Sequence, residues 1–307
     1  MENTSQTTTF KLVAYFELNY LRYLYFAIVF MIYATIIIIN AIIIGIVCTD
    51  KSLHEPMYMF LINLLINDVV GGTSLCPSIL VYLLSDSSEI SRENCLVQMF
   101  WLYIYGSCEF IILAVIGYDR HLSICYPLYY NSIMHPRRVS NLIVFSWIFP
   151  LSIVSISVTL ASQVQLCGNT IEKIYCDNYS LNRIACSDMT HIITFDTLLA
   201  FIISVPQIFM LLYSYAKIIK ICVSASKESQ KRALSTCTPH LITLLNYFIG
   251  VIFQIIQSRF NMTQVPIVIH SIFSVYFLII PPLLNPLIYG LKMKQIKLRI
   301  IKLLMKK

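Results

Sequence analysis

Asp119 and Arg120 stand side by side where an apolar run from Met99 to Ile116 ends. Charged groups at a membrane helix end are cheap if they face the interface and functional if they face a bundle. Arg120 alone could snorkel to the interface as a topology anchor. With Asp119 next to it, a second reading stays open beside that one, a latch that holds the guanidinium until a partner offers something better. Glu109 lies inside the same run, eleven residues before Arg120, or about 16 Å along a helix. Asp68 sits in the middle of another apolar run. Each acid would cost about 2.5–3.5 kcal/mol to insert, so partners are expected, and Asn40 and Asn285 are the natural candidates. Two neighbouring acids cannot both stay ionised without a cation or a proton between them. Two readings stay open: a sodium- or proton-linked switch at Asp68, Glu109 and Asn285, or a polar staple with Glu109 protonated.

Other chemistry is thinly represented. His54, His121, His135, His191, His240 and His270 form no His-x-x-x-His pair, and no Gly-x-Ser-x-Gly elbow occurs. The chain therefore does not read as an enzyme. No cofactor is expected beyond a structural sodium ion at Asp68 and Glu109.

The elements that must carry these residues are membrane helices. Hydrophobic residues make up 58% of the 307 and charged ones only 12%, with a mean hydropathy of +0.75. One soluble core could not hide that much apolar surface. A bilayer crossing takes roughly 20 apolar residues, and seven stretches qualify: Leu24–Cys48, Met57–Leu84, Val97–Tyr118, Val139–Ser162, Ile193–Ala216, His240–Gln257 and Val265–Leu291. The expected fold is an all-α, seven-helix membrane bundle over residues 24–291, between an amino-terminal segment (1–23) and a basic tail (292–307). Seven spans without an internal repeat argue against a transporter or channel.

Sixteen of the 22 Lys and Arg residues fall on one side, including Arg137, Arg138, the run Lys217–Arg232 and the tail. That asymmetry puts the amino terminus outside and the carboxyl terminus inside. The net charge of +7 then reads as affinity for the cytoplasmic leaflet rather than for nucleic acid. Sequons at Asn3, Asn178 and Asn261 all fall on the outer side, as glycosylation requires. So do Cys95, Cys167, Cys176 and Cys186, where disulfides persist. Four cysteines permit three connectivities. The favoured one is Cys95–Cys176, tying the third span to the second outer loop, with Cys167–Cys186 closing a loop within it. These cysteines lack histidines at zinc spacing, so no metal site is expected there.

Five strings narrow the class. They are Leu53-His54-Glu55-Pro56-Met57-Tyr58-Met59-Phe60-Leu61, Tyr118 to Leu128, Ser214-Tyr215-Ala216-Lys217-Ile218, Lys231 to His240, and Pro281-Pro282-Leu283-Leu284-Asn285-Pro286-Leu287-Ile288-Tyr289. In this order, and with Asp68, they resemble the odorant receptors among rhodopsin-like G-protein-coupled receptors, end to end. Ile39 before Asn40, His121 and Gly117 depart mildly from that pattern and bear on coupling strength. Phe16-Glu17-Leu18, Arg22 to Phe26 and Glu109-Phe110 look like the receptors of aquatic vertebrates, which points to a water-soluble odorant.

The resemblance implies a small-molecule odorant held in the outer half of the bundle. Leu102, Tyr103, Gly106, Ser107, Leu199, Ile203, Phe248, Val251, Ile252, Ile255, Ser271, Val275 and Leu278 would line the site. Arg259 at the outer end of span six could clamp a carboxylate, or be a solvated loop charge beside the Asn261 sequon. The implied partners are a stimulatory heterotrimeric G protein and membrane lipids, with no nucleic acid. Asp119, Arg120, Tyr215, Asn285, Pro286 and Tyr289 would form the coupling switch. The implied place is the plasma membrane of olfactory cilia; the alternative is a non-olfactory chemoreceptor with the same machinery.

Overall fold

The computed structural model describes residues 8–13, 15, 21–85, 87–187, 189–224, 226–259 and 267–305, with residues 232, 255–259, 267–271 and 303–304 described in backbone only. In chain order the elements are β1 (Thr9–Leu12), α1 (Arg22–Thr49), α2 (Pro56–Leu84), β2 (Glu89–Ser91), α3 (Arg92–Cys125), α4 (Tyr130–Ile133), α5 (Pro136–Ser162), β3 (Thr170–Ile171), α6 (Asn178–Arg183), α7 (Thr190–Ser224), α8 (Lys227–Arg259), α9 (Ile267–Lys292) and α10 (Lys294–Leu304). Seven of the described helices (α1, α2, α3, α5, α7, α8 and α9) are long and apolar enough to cross a bilayer, as hydropathy led us to expect. Lipid offers no partner for a backbone amide, so a helix is the conformation that satisfies every N–H locally.

Local chemistry sets several helix starts. Pro56 and Pro136 open α2 and α5 in the first turn, where a missing N–H costs nothing. Ser91 caps α3 by accepting from the Asn94 amide at 3.2 Å. The helices overrun the apolar windows because water can solvate their ends. The basic stretch Lys217–Arg232, read from sequence as a loop, is therefore nearly all helix: α7 runs on to Ser224 and α8 begins at Lys227.

Helix α3 is the axis of the bundle, its apolar face buried along most of its length, while α1 and α7 lie at the periphery. Phe209 on α7 is 69% exposed and Met31 on α1 is 64% exposed. Such a belt suits hydrocarbon and would be costly in water. Two buried apolar groups fill the interior. One lies toward Arg120 and includes Ile111, Leu211, Leu244 and Tyr289. The other lies toward Cys95 and includes Phe10, Tyr105, Tyr175 and Leu278.

A three-stranded sheet covers the Cys95 end, in the order β2-β1-β3. Strand β1 pairs antiparallel with β2 and parallel with β3, and it buries Phe10 and Leu12 completely. Tyr15 donates to the Ile174 carbonyl at 2.9 Å. Thr9–Leu12 and Tyr15 are thus integral to this end. At the opposite end, the basic tail folds as α10. It buries Ile296 and pairs Arg299 with Asp50. Hydrogen bonds from the Ser52 hydroxyl and amide, and then the Arg299 charge, hold the Asp50 carboxyl below the ordinary value.

Candidate ligand site and switch

Asn285 joins the two buried acids. Its Nδ2 donates to Asp68 Oδ1 and to Glu109 Oε1, each at 2.9 Å. Asn67 Nδ2 donates to Glu109 Oε2 at 2.8 Å and to the Tyr105 carbonyl at 3.1 Å. All four side chains are fully buried. Asn40, the other partner expected from sequence, instead donates to the backbone carbonyls of Ile36 and Pro282, at 2.8 and 3.1 Å. Asp68 Oδ2, Asn67 Oδ1 and Asn285 Oδ1 are buried with no hydrogen-bond partner. Such orphaned oxygens are expensive, and a donor set of carboxylate and amide oxygens suits a hard cation or an added proton. The residues therefore fit a sodium ion. Among the described residues no group of three His, Cys, Asp or Glu is arranged for a metal.

At the far end of α3, Arg120 folds back on its neighbour. Its Nε donates to Asp119 Oδ2 at 3.0 Å and its Nη2 contacts the same oxygen. Tyr130 of α4 donates to Asp119 Oδ1 at 2.6 Å. Tyr215 points its hydroxyl at His240 Nδ1, and His240 Nε2 lies 2.9 Å from the Leu113 carbonyl. A carbonyl only accepts, so Nε2 carries the proton and Nδ1 receives the one from Tyr215. One imidazole thereby ties α8 to both α3 and α7. Gly117 leaves the room for it, since a Cβ there would lie 3.3 Å from the His240 ring and 2.7 Å from Leu211. Tyr289 is buried nearby, with Asn285 and Pro286 in the last turns of α9.

Toward Cys95, α3 presents Leu102, Tyr103, Gly106 and Ser107. Leu102 is buried. Tyr103 Oη accepts the Asn178 amide at 2.9 Å, and the Gly106 carbonyl accepts from Tyr247 at 3.0 Å. Phe248 meets Phe110 edge to face. Val251 and Ile203 pack on the Arg120-side group, while Leu278 is buried with the Cys95-side group and Val275 packs against it. Leu199 is half-buried. Ile252, expected to face inward, is 53% exposed. It follows Leu245 by seven residues, so it shares the outward stripe of α8 and leaves the inward set. Ile255, Arg259 and Ser271 are described in backbone only, and Asn3 and Asn261 lie outside the described residues.

The second loop closes this end through both expected disulfides, Cys95–Cys176 and Cys167–Cys186. Gln98 Oε1 accepts the Cys176 amide at 3.0 Å. Tyr175, one residue before the disulfide, reaches across to α8 and α9. It donates to the Ser274 carbonyl at 3.2 Å and receives from Gln254 Nε2 at 3.1 Å. Burial pushes its phenol up to about 12. Lys173 is buried against Asp177, with the rings of Tyr175 and Tyr179 beside it. Burial alone would lower its pKa, but the Asp177 charge outweighs that and raises it.

Similarity to known sequences decides the class. The family model described as "Olfactory receptor" matches residues 28–307. The chain belongs to the olfactory receptor family. It is 33% identical over 293 residues to olfactory receptor 11A1 of Homo sapiens, covering 94% of this chain and 91% of that one. Olfactory receptor 2G6 of Homo sapiens is 33% identical over 303 residues, covering 96% and 93%. Olfactory receptor 4B13 of Mus musculus is 31% identical over 302 residues, covering 97% and 96%. This olfactory receptor is accordingly a multi-pass membrane protein and not an enzyme.

Within the receptor, sequence reasoning missed Asn67, Tyr130, Tyr175, Tyr247, Gln254 and Asp196. Asp196 on α7 accepts from Ser157 Oγ at 2.7 Å and from Asn178 Nδ2 at 2.6 Å. That Asn178 nitrogen is also the atom a glycan at this sequon would take. An acid in an apolar span was a usable signal for Asp196; the others depend on contacts between distant segments.

Proposed function

We propose that this receptor binds a small, water-soluble odorant between α3, α7, α8 and α9, beneath the second loop, and activates a stimulatory heterotrimeric G protein. The Cys95 end faces outward and the Arg120 end inward, in the plasma membrane of olfactory cilia. The lysine and arginine asymmetry supports that orientation. The amino-terminal pattern supports the aquatic-type subclass and its water-soluble ligands. Lys217, Lys220, Lys227 and Lys231 lie near the inner leaflet, where basic residues attract anionic lipid.

The observation that carries the reading is the closed Arg120 end, with Arg120 on Asp119 and Tyr215 on His240. A ligand that binds the open bundle better shifts the population by its differential affinity. The floor of the site is aromatic: Phe110 stacks with Tyr247, and Tyr247 meets Phe277. Moving Tyr247 would break its bond to Gly106 and let α8 rotate. The Leu113–His240 tie would then part, and Arg120 would turn from Asp119 toward the G protein. The kink potential of Pro286 beside Asn285 links this step to the acidic centre. A sodium ion held by Asp68, Glu109, Asn67 and Asn285 would offset one of the two carboxylate charges there and favour the closed state.

A cAMP reporter in cells carrying the receptor and an olfactory-type G protein tests the reading. Amino acids, carboxylic acids, amines and bile-type amphiphiles form the panel. At least one class should raise cAMP, and Phe248→Ala should shift its potency. Activation that ignores both Phe248 and Val251 replacements would move the site elsewhere.

A further inference from the structure

Helix α7 puts one acid on the wall assigned to the ligand. Asp196, Leu199 and Ile203 recur at i, i+3 and i+7, which is a single helical stripe. The opposite stripe, with Leu198, Phe201, Ile202, Val205 and Phe209, is exposed and suits lipid. Asp196 therefore lies on the half-buried side of α7, where it meets Ser157 of α5. Asn178 connects it to Tyr103: the amide of Asn178 donates to Tyr103 Oη and its side chain to Asp196 Oδ2.

The charge balance there is incomplete. Lys173 is committed to Asp177, so that pair is neutral. Asp196 receives hydrogen bonds from two neutral groups, Ser157 and Asn178, and among the described residues no ion pair includes it. A carboxylate half removed from water keeps unused acceptor positions on both oxygens, and two neutral donors do not neutralise it.

We infer that Asp196 is the anchor for a cationic ligand, an aliphatic amine whose ammonium bonds Asp196 and the Tyr103 oxygen. Its apolar tail lies along Leu199 and Ile203 toward Phe248. From Asp196 to Ile203 the helix advances about 10 Å, which suits a short chain rather than a sterol. This assignment rests on the site proposed above and names its ligand class.

The test uses the full-length receptor in reporter cells, with surface receptor quantified by an amino-terminal tag. The probes are n-alkyl primary amines and the alcohols and carboxylates of equal length. The amines should activate, the isosteric alcohols should be weaker, and Asp196→Asn should raise the amine EC50 by about thirty-fold or more, the loss of one charge-assisted bond. Asp196→Glu should recover part of that loss, and Asp196→Asn should shift any alcohol response far less than the amine response. Amine responses indifferent to Asp196→Asn overturn the assignment. So does a panel in which only neutral or anionic odorants act, and their sensitivity to Phe248→Ala would leave the site itself standing. If no probe raises cAMP, amine-dependent thermal stabilisation of the purified receptor decides, and its absence overturns the assignment.

Discussion

Tyr215 gives its hydroxyl proton to Nδ1 of His240, and the other nitrogen of the same ring donates to the Leu113 carbonyl at 2.9 Å. A side chain of α8 thus anchors that helix to two neighbours at once. Each bond is worth about 1 kcal/mol net, so losing the pair shifts a closed-to-open equilibrium by about ten-fold or more. His240→Leu should raise agonist-independent cAMP per surface receptor. A basal level equal to wild type would show that this tie does not hold the closed state.

Arg120 and Asp119 neutralise each other in a buried place, with Tyr130 on the outer oxygen of the acid. Arg120→Ala alone would strand Asp119, and an unpaired buried charge costs about 3–5 kcal/mol. A loss of signal in that variant would confuse coupling with folding. Asp119→Asn combined with Arg120→Ala removes the charge on both sides. That double variant should reach the surface at near wild-type density and stay silent to every agonist; robust cAMP output from it would rule out Arg120 as the coupling group.

The residues that sequence placed correctly are those governed by a period. Seven apolar runs of sufficient length gave the seven helices, and the spacing of Glu109 from Arg120 put one at the bundle centre and the other at its end. Asn67 escaped because adjacent helix residues point about 100° apart, yet both Asn67 and Asp68 reach the acidic centre as α2 packs between α3 and α9. Tyr215 was expected in the coupling switch with Arg120. In the closed state it is taken by His240, a preference that only the packing of α7 on α8 reveals. The strand Thr9–Leu12 carries no local mark, because it is four residues long and its partners are about 80 and 160 positions away. Tyr175 and Gln254 meet for a similar reason, through a loop whose path is set by the disulfide at Cys176.

Asp68 and Glu109 share the Asn285 amide as a donor, and Asp68 Oδ2, Asn67 Oδ1 and Asn285 Oδ1 are left without partners. A cation that enters this cluster only in the closed state stabilises it by mass action, by about 1.4 kcal/mol at ten times its dissociation constant. Purified receptor should therefore melt about 2–4 °C higher in sodium chloride than in choline chloride of equal ionic strength. Asp68→Asn and Glu109→Gln should each erase that difference. A sodium increment that survives both changes would place the ion elsewhere.

Phe10 carries the last prediction, because it joins a strand to a lid. Its ring is fully buried in the Cys95-side group, while its backbone pairs with Ile90 in the connection between α2 and α3. Neighbouring Lys11 takes the Asn169 carbonyl at 2.7 Å. Removing a buried phenyl ring costs about 3–5 kcal/mol, and here the cost falls on the contact that holds three segments together at the Cys95 end. Phe10→Ala should lower surface delivery and the melting temperature, whereas Thr9→Ala, on the exposed side of the same strand, should change neither. If both variants behave like wild type, the strand is an ornament on the bundle and the lid owes its order to the two disulfides alone.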